Sequence, residues 1–561
     1  MDKTLEREQD TAAALPAAVL AAMALAACGG GGAETSTGSG SSGGSGSSPG
    51  IGTQSLTPAQ ASRFLSQAAV GHSNADITAL AASNIDTWLS TQFAMARPQK
   101  CWDFLTVNGY DAAGNINNDA GYDAMVWSQL MGSTDVLRQR VGLALLDQWV
   151  VGLDGVNTNW VSFAMAAYLD GLWDNAFGNY RDLMEAVSTS VAMGAFLTFL
   201  GSAKANTKTG SIPDENYARE LLQLFTIGLY QLNMDGSPVM SGGQPVPSYT
   251  QADVSQHARV WTGYTFASTD DSTPARVRLP LIVNANRHES GASSFLGIDI
   301  PANTDGAMAR KLALDGLFKH ANTAPFFCKQ LIQHLVTSNP TPAYVKRVAQ
   351  VFADNGSGVR GDMKAVIRAV LIDSEARNDT QAASSTSFGK LREPVLRLVQ
   401  WARAFGVRSP TQLWPFGNTS SSANRLAESP GRSGSVFNWF RPGYAPPGTA
   451  IATAGRVAPE FQITNEPSLI AYVNFMQQVI GNGAGEAKPD YSALTAIAAD
   501  SQALLDQLNL VLAAQQLSAA TIAQMKTALD TLRANTDAGL ASRVNAAILL
   551  VMASPEYLVL R

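Results

Sequence analysis

Residues 133–151 read STDVLRQRVGLALLDQWVV. Val136, Val141, Leu145 and Trp149 recur at helical spacing, so one apolar stripe runs the length of the segment. The same texture continues in FGNYRDLMEAVSTSVAMGAFLTFL (177–200) and DENYARELLQLFTIGLY (214–230). Upstream, LTPAQASRFLSQAAV (56–70) offers Thr57 as an N-cap with Pro58 at the first helical position. Ser73 and Asp76 have the spacing of a capping box for the next helix. Helical patterns resume at 307 and run through PAYVKRVAQVFADN, DMKAVIRAVLID and PVLRLVQWARAF; the tail, 491–561, is Ala/Leu-rich and helical in pattern. The expected fold is mainly α, a multi-helix globular array.

Three regions break the pattern. Residues 101–122, rich in Asn, Gly and Asp, are expected to form a loop. Residues 236–300 turn to Pro, Gly and short β-prone runs such as RVRLPLIV, a small β or irregular excursion where two subdomains could divide. Residues 407–466 are aromatic, Pro-rich and aperiodic.

The N-terminus reads as an address. Residues 12–27, AAALPAAVLAAMALAA, are too short to cross a hydrocarbon core of about 30 Å comfortably and have the length of a signal-peptide core. They end in Leu25-Ala26-Ala27-Cys28, which resembles the lipobox of bacterial lipoproteins, with Cys28 as the lipidated residue. Residues 1–10 carry more acid than base, which departs from the usual basic start. The organisation expected is a leader over 1–27, a Gly/Ser-rich tether over 28–54 and a helical body over 55–561. Gly29 stands where an inner-membrane retention Asp would, so the expected location is the cell envelope, lipid-anchored, at the outer membrane.

A formal charge of −6, with no cluster of Lys and Arg, gives no electrostatic footprint for nucleic acid. Cys101 and Cys328, besides Cys28, are too few for a disulfide framework; Cys328 in PFFCKQLIQHLV reads as a small buried hydrophobe. There is no His-Glu-x-x-His, no Walker loop and no dinucleotide fingerprint. The Gly-x-Ser-x-Gly matches at Gly40–Gly44 and Gly46–Gly50 lie in the tether, where no nucleophile elbow can form.

Several further stretches carry a family likeness: PDENYARELLQLFTIGLYQLN, YTQADVSQHARVWTGYTF, RHESGASSFLG, KHANTAPFFCKQLIQHLVTSNPTPAYVKRVAQVF, KLREPVLRLVQWARAF, SVFNWFRPGYAPPG and ASPEYLVLR. With the helical segments above, and in this order, they resemble the bacterial family of unknown function numbered 1800. The resemblance covers about residues 55 to 561 and implies an exported, mainly helical protein with no established activity and no cofactor. It also implies a partner, since genes of that family often neighbour an exported family numbered 1501, which resembles sulfatases and alkaline phosphatases. The family's His-Asp-x-Gly-x-Lys pattern falls on His288, Glu289, Gly291 and Ser293, with Glu for Asp and Ser for Lys.

His288 and Glu289 could act as an acid–base pair or as metal ligands, or His288 could simply staple its loop. Glu215 and Arg219 stand in i,i+4 register, as do Asn216 and Glu220. That makes Glu215, Glu220, His288 and Glu289 the catalytic candidates, provided they meet in one cleft. His320 is expected to cap or pack. Trp439, Phe440, Arg441 and Tyr444 form an aromatic loop that could stack on sugars or a partner segment, or cover the core. Two functions stay open: a binding, assembly or export partner of a phosphatase- or sulfatase-like exported protein, and an envelope hydrolase or metal-assisted enzyme acting on a glycan or polymer.

Overall fold

The Thr57 hydroxyl accepts from the Gln60 amide while the Gln60 side chain answers the Thr57 amide, and this reciprocal cap starts helix Pro58–Ala68. The computed structural model describes residues 50–561. The leader, Cys28 and the tether as far as residue 49 lie outside the described residues. Ser73 and Asp76 form the expected capping box of helix Asn74–Ala81. The fold is mainly helical, and among the described residues strands occur only as short two-stranded pairs. No helix there is long and apolar enough to cross a membrane.

Helix Val136–Gln148 is buried along nearly its whole length and packs against Val161–Asn175 and Thr323–Leu335. Around it a single apolar core runs from Ala61 to Tyr557. Trp149 stacks on Phe225 with ring centres 4.7 Å apart, and Tyr180 lies 4.4 Å from Phe327. Burying aromatic rings of this size contributes most per residue to such a core. Both Cys101 and Cys328 are buried and unpaired.

The first and last elements of the described residues are both tied to distant segments. Helix Pro58–Ala68 packs on Ser501–Ala513, and Val559–Leu560 pairs antiparallel with Lys390–Leu391. Gly389 precedes that strand at φ +113°, and a Cβ there would lie 2.5 Å from the Leu560 carbonyl oxygen. Only glycine lets the two backbones meet, and their meeting fixes the position of Lys390.

The loop expected over 101–122 is corrected in part: Cys101–Val107 is an α-helix. Lys100 supplies no side-chain cap. Instead the Asp170 carboxylate accepts from the Cys101 amide at 2.8 Å and the Trp102 amide at 3.1 Å, and is itself paired with Arg97 at 2.8 Å. The cap arrives from a distant helix, so no local signal announces it. The 236–300 region does hold the short pairs Met240–Ser241 with Gln244–Pro245 and Ser293–Phe295 with Ile298–Ile300, but also helix Gln251–Ala258. The 407–466 region is largely irregular.

Candidate functional site

Helix Val136–Gln148 carries the charged side chains of Arg138, Arg140 and Asp147 into the interior. Asp147 lines an open cleft of about 800 Å³, together with Gln148, Gln333, Tyr230, Arg441 and Tyr444. Behind that wall His334, near the end of helix Thr323–Leu335, places Nδ1 3.6 Å from Asp147 Oδ2. Neither atom has a hydrogen-bond partner, and both side chains are buried. Asp147 Oδ1 accepts from the Asn438 amide.

Deeper still, the Lys390 ammonium donates to the His334 carbonyl at 2.8 Å, to Glu393 at 2.8 Å and to Glu460 at 3.0 Å. Arg140 donates to the same His334 carbonyl. Glu428 accepts from the Val395 amide at 2.9 Å and so caps helix Pro394–Ala404 from a distant loop.

Environment splits these groups. Burial, with Glu393 and Glu428 close by, pushes the Asp147 carboxyl well above the usual carboxylate range. Burial also opposes the Glu393 charge, but Lys390 and Arg140 outweigh it and hold that carboxyl low. Burial raises Glu428, with the Glu393 charge adding to it. His334 is driven down to about 3 by burial and then by Lys390. Burial likewise works against the Lys390 charge, yet Glu393 and Glu460 keep it above its ordinary value. Near neutral pH the floor therefore holds a neutral imidazole and an ionised Glu393–Lys390 pair, with the Asp147 carboxyl biased toward its protonated form. Carboxyl groups separated in this way are how one site supplies both acid and base.

The residues singled out from the sequence lie elsewhere, apart from the aromatic loop. Glu215 pairs with Arg219 at 3.0 Å and accepts from Ser255 at 2.6 Å, which with other hydrogen bonds holds its carboxyl low. Glu220 is buried with Oε2 unpartnered, and burial raises it. The His288 imidazole meets the Thr262 carbonyl at 3.0 Å, and Glu289 faces Arg259 at 3.6 Å. His288 lines a smaller cleft of about 510 Å³ with Asp305 and Arg310, while Glu215, Glu220 and Glu289 line neither this cleft nor the larger one. His320 ends helix Gly306–Lys319 and accepts from the Asn322 amide. In the aromatic loop, Arg441 and Tyr444 reach the main cleft. Phe440 is buried beside His334, with ring centres 6.5 Å apart, and the Trp439 indole donates to the Ser429 carbonyl.

Asp147, His334 and Glu393 were not among those candidates. One signal was available: Asp147 is a lone acid in the apolar run LALLDQWVV. Their convergence was not legible, because 187 residues separate Asp147 from His334 and a further 59 separate His334 from Glu393.

Asn322 also escaped notice. Its amide donates to the Ile227 and Tyr230 carbonyls, both at 2.8 Å, and its oxygen accepts from the Leu232 amide at 2.9 Å. These bonds hold the cleft wall of Gly228 to Leu232 against helix Thr323–Leu335. Asn322→Leu is expected to cost about 3 kcal/mol, since three bonds go and backbone groups are left buried without partners. Urea denaturation would read the loss, and hydrogen exchange at the Leu232 amide should rise with it.

A family model described as "Protein of unknown function (DUF1800)" matches residues 63–559, almost all of the described chain. The chain belongs to this family. Among curated proteins and solved structures nothing matches. The main cleft and its buried floor both lie within the DUF1800 match, and the floor draws on helices from both halves of it.

Proposed function

We propose that this DUF1800 protein is an envelope hydrolase acting on a glycan or other extended polymer held in the main cleft, with Asp147 and His334 as the reacting pair. One observation carries the reading: buried Asp147 Oδ2 and His334 Nδ1, each without a hydrogen-bond partner, stand 3.6 Å apart at the wall of an 800 Å³ cleft. In the reaction, water attacks the scissile bond, a group of this pair takes its proton, and the leaving oxygen receives a proton in turn. Phe437, Tyr444 and Tyr230 line the cleft with Arg441, whose guanidinium lies 4.5 Å over the Phe437 ring, an aromatic and cationic lining suited to sugar units. Anchoring through lipid on Cys28, at the outer membrane, would bring the cleft to envelope polymers.

The test incubates purified chain with peptidoglycan and with envelope polysaccharides and measures released reducing ends. Asp147→Asn is expected to lower release by about 100-fold or more while the circular dichroism stays that of wild type. Failure of the folded wild type to release anything, or undiminished release by Asp147→Asn, would overturn the reading.

A second reading, binding or export of a phosphatase- or sulfatase-like exported partner of the 1501 family, is favoured by Leu229 and Tyr230, apolar side chains left about half exposed on the cleft rim. Co-purification of that partner by wild type, lost on Leu229→Asp, would support it over hydrolysis.

A further inference from the structure

We propose that Asp147, His334 and Glu393 bind one divalent transition-metal ion, of the zinc or manganese class, at the floor of the main cleft. The proposal deepens the hydrolase reading and rests on taking this floor as the reacting centre; with Asp147 and His334 holding the ion, the metal rather than these two groups would activate the attacking water. One donor atom from each of the three residues lies within 4.8 Å of the other two. With metal–ligand bonds of about 2.0–2.2 Å, two donors on one ion stand about 3–4 Å apart. The 3.6 Å between His334 Nδ1 and Asp147 Oδ2 is too long for a hydrogen bond and falls within that range.

Both of those atoms are buried and unpartnered, and the two side chains are 6% and 7% exposed. Buried polar atoms are almost always satisfied, so a pair of orphans facing one another calls for a third body. Lys390 does not supply it: its three N–H bonds go to His334 O, Glu393 and Glu460, none to Asp147 or the imidazole.

The chemistry of the donors sets the class. One imidazole and two carboxylates, without thiolate, suit zinc or manganese better than copper(I), and the imidazole disfavours calcium. Asn438 on Asp147 and Lys390 on Glu393 would orient the ligands, as outer groups do around bound metals. Asp147 lines the cleft, which gives the ion a way in and leaves its open side toward solvent and substrate.

The test strips the full chain with EDTA, returns zinc, manganese or cobalt(II) chloride, and counts bound ions by mass spectrometry after gel filtration. The expected result is one ion per chain, with cobalt(II) giving visible bands of a low-symmetry nitrogen–oxygen site. Asp147→Asn and His334→Gln should each weaken binding by about 100-fold or more and abolish those bands, with helical content unchanged. A folded wild type that binds no ion overturns the proposal, as does stoichiometric binding undiminished in both variants. Should either variant fail to fold, the nitrogen-ligand signature of cobalt(II) or manganese in wild type decides alone: its presence supports the site and its absence overturns it. An ion bound without polymer release defeats the hydrolase reading and leaves the metal site standing.

Discussion

Lys390→Met is expected to destabilise the folded chain by about 3–5 kcal/mol, because it leaves buried carboxylates without their cation. The Lys390 side chain is 1% exposed and binds Glu393 and Glu460, themselves 1% and 2% exposed. Water cannot replace the ammonium there, so the penalty is that of an uncompensated buried charge rather than of a lost surface pair. The loss should also reach the cleft, since the same ammonium fixes the His334 carbonyl and hence the end of that helix. Adding Glu460→Gln to Lys390→Met should recover part of the stability by removing one of the stranded charges. Urea unfolding followed by tryptophan fluorescence measures both variants. A cost below about 1 kcal/mol for the single variant would mean that water or movement relieves the cluster.

Acid should unfold the protein through its buried histidines, two of which lie remote from the cleft. His72 and His257 are fully buried, and burial depresses each to about 3 from an ordinary 6.5; nearby Arg392 adds to the effect at His72. The His257 Nδ1–H donates to the Ala218 carbonyl at 3.1 Å, and its Nε2 accepts from the Trp261 indole at 3.0 Å. That arrangement admits only the neutral ring. Below pH 6.5 the unfolded chain takes a proton at each site and the folded chain does not. Stability is therefore present above the unfolded value and is lost as pH falls from 6.5 toward about 3. Each histidine adds a slope of about 1.4 kcal/mol per pH unit across that window. His257→Gln, which keeps a donor and an acceptor, should flatten the dependence by about that amount between about pH 6 and about pH 4. An unchanged slope would show that the folded chain already accommodates the imidazolium.

These two clusters also show what could be read before folding and what could not. Local patterns were legible: the capping boxes at Thr57 and Ser73 and the Glu215–Arg219 pair occur as the spacing of residues dictates, whereas the helix Val136–Gln148 is buried on every face rather than along the one apolar stripe expected. The caps and the pair depend on groups within about one helical turn, where geometry follows from sequence distance alone. The family likeness belongs to the same level, since it too is carried by ordered local stretches.

Whatever depends on groups far apart in the chain was decided by tertiary structure. Asp170 caps the Cys101–Val107 helix from another helix, at the edge of a segment whose Asn and Gly lie further on. Asp147, His334, Lys390, Glu393 and Glu460 become one cluster only because the chain's final strand clamps Lys390 and three helix ends converge beside it. Burial and neighbouring charge, not residue type, then give each group its protonation state. Desolvation acts on the folded position, and position is what a linear order of residues does not contain.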